Sequence, residues 1–441
     1  MNPSSSLVSQ PRPTTARDYL GVSLFWLALS FFWGALLTIA LPSRAETLFG
    51  ENGKVAALSA LSAAGAAVAG ISQIVFGALS DGSRSKWGRR RPFLMAGILL
   101  AIGPLLLLPF ARTLAALLLV YCALQLFVNV AGGPYGALMH DVIPPEKHNA
   151  ASSWIGVAGL LGRIGGPLVA GILLNRGLRS PKDAGFDAVL NASRTEANFQ
   201  LLMTTFAGVL IAVMLLTLWL AHEKPGNAKR EPLAERLRDT FRVPLKPFPN
   251  FRWLIVSRFG IMMGIYTVTG YLLYYIRDTL GFSKTESVGV LTNFLVLSTL
   301  TGLLGTIPCG PLCTKFGRKR VLYGANIICM IAGLCLALAT NLSLAYVAAA
   351  IFGLGFGAFA AVDWALATSL LPPSEPAKYM GVWGLSDTIA QVIAPLAAGP
   401  IAIVLGHALS KGMGYRGLML LALCWFFVGT LALRPIREKT E

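Results

Sequence analysis

Charged side chains are scarce in this chain. They make up 13% of its 441 residues, against about a quarter in soluble domains. Apolar runs of roughly 20 residues recur instead, which is the length needed to cross the hydrocarbon core of a bilayer. Because the runs are too long and too uniformly apolar for barrel strands, they predict an all-α integral membrane protein with twelve transmembrane helices. We place them at 19–41, 53–79, 92–111, 113–139, 149–174, 199–221, 251–276, 286–312, 320–340, 343–371, 379–407 and 415–433.

Residues that usually carry catalysis or bind metal are also few. The chain has four histidines and six cysteines, and every cysteine lies in an apolar run. Cys309 and Cys313 stand one helical turn apart, but no histidine or further thiol joins them to complete a metal site. Neither a Walker loop nor a nucleotide motif occurs. We therefore expect no metal, no cofactor and no enzymatic activity.

The net charge of +17 reports orientation rather than a nucleic-acid partner. When the loops are assigned alternately, most Lys and Arg residues fall on the side of the N-terminus. Such an excess marks the cytoplasmic side of a membrane protein. The sequence thus predicts a multi-pass protein of the cell (inner) membrane, with both termini cytoplasmic, the lipid bilayer as a partner and no nucleic acid. We expect a monomer.

The chain contains an internal repeat. Residues 77–92 read GALSDGSRSKWGRRRP, and residues 310–320 read GPLCTKFGRKR. A shift of 229 places Gly88–Arg91 on Gly317–Arg320, and a shift of 228 places 143–145 (IPP) on 371–373 (LPP). With six spans in each half, both halves share one orientation, which predicts parallel repeats about an axis along the membrane normal.

The repeat suggests how the chain divides. We predict a cytoplasmic tail at 1–18, six-helix bundles at 19–221 and 251–433, a cytoplasmic linker at 222–250 and a cytoplasmic tail at 434–441. In the linker, Leu233, Leu237 and Phe241 recur every four residues, as in an amphipathic helix on a membrane surface. Residues 175–198 are expected to form a solvated loop.

The loop at 77–92 resembles the signature loop of the major facilitator superfamily, with Gly77, Asp81 and paired basic residues around Gly88. Its long form, SDGSRSKWGRRRPF, is similar to that of the sucrose–proton symporters and the glycoside–pentoside–hexuronide cation symporters. So is AVDWALATSLLP at 361–372. The resemblance covers nearly the whole chain. It implies two six-helix bundles working by alternating access, with spans 1, 2, 4, 5, 7, 8, 10 and 11 lining a central cavity.

The sequence departs from these sugar carriers at known sites. Gln125 and Gly136 stand where span four of the plant sucrose carriers has an acid and an arginine. Span two, where melibiose-type symporters hold sodium with acids, has none at 53–79. Family analogy therefore names neither the sugar nor the ion.

Four charges lie within the predicted spans, where each costs at least ~2.5 kcal/mol on insertion scales. They are Arg163, Arg258, Asp363 and Asp387, all on spans that the resemblance places along the cavity. Asp363 and Asp387 are candidates for proton coupling, because burial and a nearby cation push the pKa of an acid in opposite directions. Structural alternatives remain for three of them. Asp363 could form a fixed pair with Arg258, Asp387 could cap a helix after Ser386, and Arg163 could pair with either acid to lock the halves together.

A small-molecule substrate would need polar groups for hydroxyls and aromatic faces for an apolar ring surface. The guanidinium of Arg163 could donate to sugar hydroxyls or to a carboxylate. Packing or a place in the interfacial aromatic belt is the alternative for each aromatic residue. The candidate substrate-binding residues are Arg163, Gln125, Asn129, Gln391, Trp154, Tyr266 and Trp364.

The basic loop is a candidate conformational switch. Asp81 could pair with its own arginines or with the start of span eleven, in contacts that break when the cytoplasmic side opens. Simple positive-inside anchoring is the alternative for the arginines. The candidate switch residues are Gly77, Asp81, Gly88, Arg89, Arg90, Gly317 and Arg318.

These features together predict a secondary active transporter of a small solute, a sugar or glycoside coupled to protons, working by alternating access. Without a nucleotide motif, the energy must come from an ion gradient or from the gradient of the substrate itself. Two alternatives stay open. The chain could transport another small molecule, or it could be a non-transporting membrane factor that handles a pigment or lipid on the same fold.

Overall fold

Twelve long helices account for most of the chain. The computed structural model describes residues 15–144, 147–178, 187–221, 223, 245–370 and 376–437, and this part contains no strand. The helices are α1 (Ala16–Ala35), α2 (Leu41–Asp81), α3 (Arg91–Leu107), α4 (Leu114–Val142), α5 (His148–Leu174), α6 (Ala188–Leu220), α7 (Pro249–Asp278), α8 (Lys284–Thr306), α9 (Arg318–Leu338), α10 (Leu342–Ser369), α11 (Pro376–Ala408) and α12 (Lys411–Leu431). A short helix, Cys309–Phe316, precedes α9.

The connection between the first two spans is helical. A π-helical turn at Leu36–Ala40 joins α1 to α2, and Pro42, which lacks an N–H, follows directly. The helix breaks at Gly50, where φ is 59° and ψ is −166°, a conformation that glycine adopts without a Cβ penalty. Eleven continuous helical segments are long and apolar enough to cross a membrane. The break divides the longest, Ala16–Asp81, into two crossings, which confirms the predicted number of twelve.

Two predictions about connections have different outcomes. The solvated loop at 175–198 is wrong in its second half, because α6 begins at Ala188. Asp187 caps this helix by accepting from the backbone N–H of Val189 at 2.8 Å and of Leu190 at 3.0 Å. Leucine and valine after a good N-cap favour a helix that the polar composition of the segment concealed. The predicted linker helix lies outside the described residues, and the other domain boundaries stay predictions.

The two halves pack in the same way. In the N-terminal half α1 packs on α5 and α6, α4 packs on α2 and α3, and α3 packs on α6. The C-terminal half repeats each pairing, α7 with α11 and α12, α10 with α8 and α9, and α9 with α12. The predicted duplication is therefore confirmed as two six-helix bundles, α1–α6 and α7–α12.

The bundles meet along two equivalent seams, α2 against α11 and α5 against α8. At the first seam the hydroxyls of Ser59 and Tyr271 lie 2.5 Å apart, and that of Tyr271 also donates to Pro395 O at 3.2 Å. At the second, Thr292 donates to Pro167 O at 3.4 Å. Few polar contacts therefore hold the two bundles together within the membrane.

Small residues bring α5 close to α1 within the first bundle. A Cβ at Gly162 would collide with the carbonyl oxygen of Leu27, and a Cβ at Gly166 would collide with that of Phe31. Glycine at both positions permits the backbones to approach closely, as is typical of membrane helices. This contact fixes the position of Arg163, which lies between the two glycines.

Candidate functional site

A buried ion pair lies inside the C-terminal bundle. Asp363 on α10 is 1% exposed and accepts a hydrogen bond from Nη1 of Arg258 on α7. The pair brings together two of the four charges that the sequence singled out, in the arrangement given there as the structural alternative. Because both partners belong to one bundle, the pair does not lock the two halves to each other.

Two indoles border this pair. The guanidinium carbon of Arg258 lies 3.5 Å from the ring centroid of Trp383 on α11, a favourable cation–π arrangement. Trp383 packs edge-on against Trp364 of α10, with 5.0 Å between ring centroids. Trp364 is 53% exposed, so the pair is linked through Trp383 to an exposed aromatic side chain.

The pair does not use all of its hydrogen-bonding capacity. Asp363 Oδ1 and Arg258 Nε are both buried and lack a hydrogen-bond partner among the described residues. Buried polar atoms without partners are costly and uncommon. The ion pair therefore leaves an acceptor and a donor of the cluster unused, with the indole N–H of Trp383 close to the Asp363 carboxylate.

Asp387 and Tyr266 form a second polar contact. The hydroxyl of Tyr266 on α7 lies 3.2 Å from both carboxylate oxygens of Asp387 on α11. Asp387 follows Trp383 by one helical turn and is followed one turn later by Gln391, so the three side chains share one side of α11. The capping alternative for Asp387 is wrong, because α11 begins far earlier, at Pro376.

Arg163 faces this cluster from the other bundle. It is exposed on α5, and its charge acts electrostatically on both Asp387 and Tyr266. It makes no ion pair with any described carboxylate. Within the described residues, Arg163 is therefore the accessible cation opposite a cluster that holds two carboxylates and one guanidinium.

Three predicted substrate-binding residues lie elsewhere. Gln125 and Asn129 are both 5% exposed, and they form a hydrogen-bonded ladder on α4. Gln125 Nε2 donates to Tyr121 Oη at 2.7 Å, and Asn129 Nδ2 donates to Gln125 O at 2.8 Å. Trp154 stacks on Tyr19 with 6.2 Å between ring centroids. These contacts join neighbouring residues and helices of the N-terminal bundle rather than the charged cluster.

One end of the molecule carries charged residues that sequence reasoning missed. We call it the opposite face, because it lies at the other end of the helices from the basic loop between α2 and α3. There Glu46 of α2 pairs with Arg277 of α7 and lies 3.5 Å from Lys284 of α8. Lys54 of α2 pairs with Asp278 of α7 at 2.7 Å. We call these five residues the clamp, because each pair joins the two bundles.

The clamp is buried at its centre. Glu46 is 2% exposed and Lys54 is 1% exposed, and Nζ of Lys54 also lies 4.7 Å from the ring centroid of Tyr274. The sequence did contain a signal for the clamp. Lys54 lies just after the predicted start of span two, and Arg277 and Asp278 lie just after the predicted end of span seven. Nothing in the sequence showed that these segments meet.

At the other end, the basic face, the predicted switch residues form a network within the N-terminal bundle. Arg90 pairs with Asp81 at 2.5 Å and with Asp141 at 2.9 Å, and Arg89 also pairs with Asp141. Burial opposes the charge of Arg90, but the two carboxylates outweigh burial and raise its pKa. Of the two predicted partners of Asp81, the structure shows the arginine of its own loop.

Glu223 completes this network. Its carboxylate accepts from the backbone N–H of Arg89 at 2.7 Å, of Arg90 at 2.9 Å and of Arg91 at 3.2 Å, and so caps α3. Burial raises the pKa of the Glu223 carboxyl, although the three N–H donors favour its charged form. Glycine at position 88 permits this contact. Its φ is 111°, and a Cβ there would collide with the Glu223 carboxylate.

Among the described residues, the second copy of the loop has different contacts. Gly317 has a positive φ of 83°, like Gly88. Lys319 donates to the backbone carbonyls of Arg434 at 2.8 Å and Ile436 at 2.6 Å. Arg318 is exposed and has no ion pair with a described residue. The glycine backbone geometry is thus duplicated, while the acids of the first copy are not.

Comparisons with known proteins agree with this architecture. The profile of the Major Facilitator Superfamily matches residues 19–395 and 287–441. Among solved structures, that of a D-xylose–proton symporter aligns with a TM-score of 0.72 at 16% identity, covering 96% of this chain and 98% of that one.

Curated relatives match over shorter stretches. The sucrose transport protein SUT4 of Oryza sativa subsp. japonica is 28% identical over 177 residues, 34% of this chain and 29% of that protein. The glucose transporter GlcP of Staphylococcus epidermidis is 30% identical over 156 residues, 35% of this chain and 32% of that protein. The chain thus spans less than a third of the length of these two relatives.

The superfamily profile covers most of the chain, and the helical bundles reproduce the corresponding fold. The described residues contain the long apolar helices of a multi-pass membrane protein. The chain belongs to the major facilitator superfamily.

Proposed function

We propose that the protein is a secondary active carrier that moves a sugar or glycoside together with protons by alternating access. The observation that carries this proposal is the buried Asp363–Arg258 pair beside Asp387 and Tyr266, opposite the exposed Arg163. Intramembrane charges that face the interior of a bundle mark proton and substrate pathways in transporters. Relatives that carry sucrose, glucose and xylose in their names favour a sugar.

The cluster offers a route for proton coupling. Arg258 is bound by Asp363 and also attracts Asp387 electrostatically. A proton taken up by Asp363 removes its charge, and Arg258 is then held chiefly by Asp387 on a different helix. Such an exchange of partners changes the packing of α7 against α10 and α11. Protonation is thereby linked to the shape of the bundle next to the site.

The substrate would lie between this cluster and Arg163. The exposed indole of Trp364 suits the apolar face of a sugar ring. Arg163, Tyr266 and Gln391 supply donors and acceptors for hydroxyls. Gln125, Asn129 and Trp154 bond elsewhere in this conformation, and their contact with substrate stays a prediction.

We place the protein in a cell (inner) membrane with the basic face on the cytoplasmic side, because Lys and Arg accumulate on that face. Both termini then lie in the cytoplasm. With this orientation the clamp would close the external side of the space between the bundles. We further propose that the monomer is the functional unit.

The test is uptake into proteoliposomes under an imposed pH gradient, alkaline inside, with a panel of radiolabelled mono- and disaccharides. At least one neutral sugar should accumulate above equilibrium, and a protonophore should abolish the accumulation. Liposomes without protein serve as the control. Failure with every sugar would contradict the proposed substrate class. Transport of another solute, or binding of a pigment or lipid without transport, would support one of the two alternatives.

A further inference from the structure

An apolar cavity opens at the basic face, away from the space between the bundles. Its volume is about 320 Å³, and it is lined by Trp87, Arg91, Met95 and Leu218. These residues belong to the loop before α3, to α3 and to the end of α6. Helices α3 and α6 pack chiefly within the N-terminal bundle, so the cavity lies on the outer side of that bundle.

The rim of the cavity is positively charged. Arg91 donates one N–H to the carbonyl of Leu218, which leaves others of its five donors for an anion. Lys86, which precedes the lining residue Trp87 in the sequence, is exposed. Neither side chain makes an ion pair with a described residue.

The nearby acids are already engaged. Asp81 and Asp141 pair with Arg89 and Arg90, and Glu223 is bound by the backbone at the start of α3. The charges of Asp81 and Asp141 offset those of Arg89 and Arg90, and the single carboxylate of Glu223 cannot offset both Lys86 and Arg91. A ligand suited to this place combines an anionic group with an apolar body.

Trp87 indicates the depth of the cavity in the membrane. It is 66% exposed and lies in the loop shortly before α3, which begins at Arg91. Exposed tryptophan at the end of a membrane helix is typical of the headgroup region of a bilayer. Basic residues at that level attract anionic lipids, at about a fivefold gain in binding for each side chain.

We propose that this cavity binds an anionic phospholipid. The phosphate lies between Lys86 and Arg91, and one acyl chain packs against Trp87, Met95 and Leu218. The second copy of the loop supplies a natural contrast. A shift of 229 carries Lys86, Trp87 and Arg91 onto Lys315, Phe316 and Arg320, whereas Met95 falls on Gly324. Glycine supplies no side chain for the cavity wall, so the second copy keeps the charges and an aromatic ring but lacks the counterpart of Met95.

Native mass spectrometry of the full chain in detergent tests the proposal, with phosphatidylglycerol and phosphatidylcholine of identical acyl chains as probes. We expect tighter binding of phosphatidylglycerol and about a fivefold loss for Arg91→Gln. Trp87→Ala should weaken both lipids. The matched variants Arg320→Gln and Phe316→Ala should bind like the wild type. Lys86→Gln, which breaks no hydrogen bond among the described residues, covers the case in which Arg91→Gln fails to fold.

Several results would overturn the proposal. Equal affinity for the two lipids would remove the anionic requirement. Equal losses for Arg91→Gln and Arg320→Gln would show diffuse surface charge rather than a site. Displacement of phosphatidylglycerol by inorganic phosphate alone would identify a free-anion site, and an unchanged Trp87→Ala would exclude the acyl-chain contact.

Discussion

The two faces of the molecule use charge differently. On the opposite face, Glu46–Arg277 and Lys54–Asp278 join the two bundles. On the basic face, the ion pairs of Arg89 and Arg90 stay within the N-terminal bundle. Pairs across the bundles stabilise one conformation relative to another, whereas pairs inside a bundle stabilise its fold. Ion pairs therefore join the two bundles at the opposite face.

Burial strengthens this contrast. Lys54 and Glu46 are almost fully buried, and removing one partner of a buried pair leaves an uncompensated charge that costs roughly 3–5 kcal/mol. Asp81 on the basic face has a side chain that is 58% exposed, and pairs of this kind contribute about 1 kcal/mol or less.

Breaking the clamp should have the largest effect. In Asp278→Asn, the carboxylate of Glu51, at 3.0 Å, is the ion-pair partner left to Lys54 among the described residues. We expect the closed arrangement to lose about 3 kcal/mol, a shift of roughly a hundredfold towards opening at that face. The measurement is labelling of a Ser59→Cys reporter by a membrane-impermeant thiol reagent, with the native cysteines replaced by alanine.

A control at the same face separates opening from loss of fold. Arg44 pairs with Glu196 at 2.7 Å, and both belong to the N-terminal bundle. Glu196→Gln should lower thermal stability without changing the labelling of Ser59→Cys. If both variants accelerate labelling equally, the distinction between the two kinds of pair is wrong.

The charged cluster of the C-terminal bundle should follow the rule for pairs inside a bundle. In Asp363→Asn or Asp387→Asn alone, Arg258 retains one carboxylate. The double variant leaves Arg258 buried with neither, and arginine cannot shed its proton. We expect a loss of about 3 kcal/mol in the double variant, more than the sum of the single effects. Thermal unfolding in detergent measures it, and simple additivity would count against a shared role.

On the basic face the expected effect is smaller. Asp81→Asn leaves Arg90 paired with Asp141, so stability should fall by about 1 kcal/mol or less. Asp141→Asn, which removes the partner shared by Arg89 and Arg90, should cost more. Thermal unfolding of the two variants compares their losses of stability. A larger loss for Asp81→Asn would show that Asp81 contributes more to stability than its exposure indicates.

The smallest effect is expected at Glu223. Its raised pKa means that the folded state binds the proton more tightly than the unfolded chain. The resulting stabilisation is present below the ordinary pKa of glutamate and is lost as the pH rises through the raised value. Stability of the wild type should therefore fall relative to Glu223→Gln across that window. A difference that grows in the opposite direction would contradict the effect of burial.

The sequence predicted much of this architecture. Runs of apolar residues located the spans, and the matching loops at Gly88 and Gly317 revealed the duplication. The four intramembrane charges lie on α5, α7, α10 and α11, and three of them form one cluster with Tyr266. These predictions depend on local composition and spacing, which are readable without tertiary contacts.

What could not be predicted depends on direction and pairing. Helices that are apolar on all sides have no polar stripe to show which side chain faces a cavity, so the internal bonding of Gln125 and Asn129 was not foreseeable. The clamp requires knowledge that the start of α2 meets the end of α7. The helix before Gly50 was concealed by polar residues and a proline, which are typical of loops.

The proposed role of Asp363 in proton coupling can be tested separately from substrate binding and translocation. The measurement compares gradient-driven accumulation with substrate counterflow in proteoliposomes containing the wild type, Asp363→Asn or the surface control Asp187→Asn. We expect Asp363→Asn to retain counterflow but lose accumulation, while Asp187→Asn retains both. Accumulation by Asp363→Asn at the level of the wild type would contradict the assignment of proton coupling to this residue.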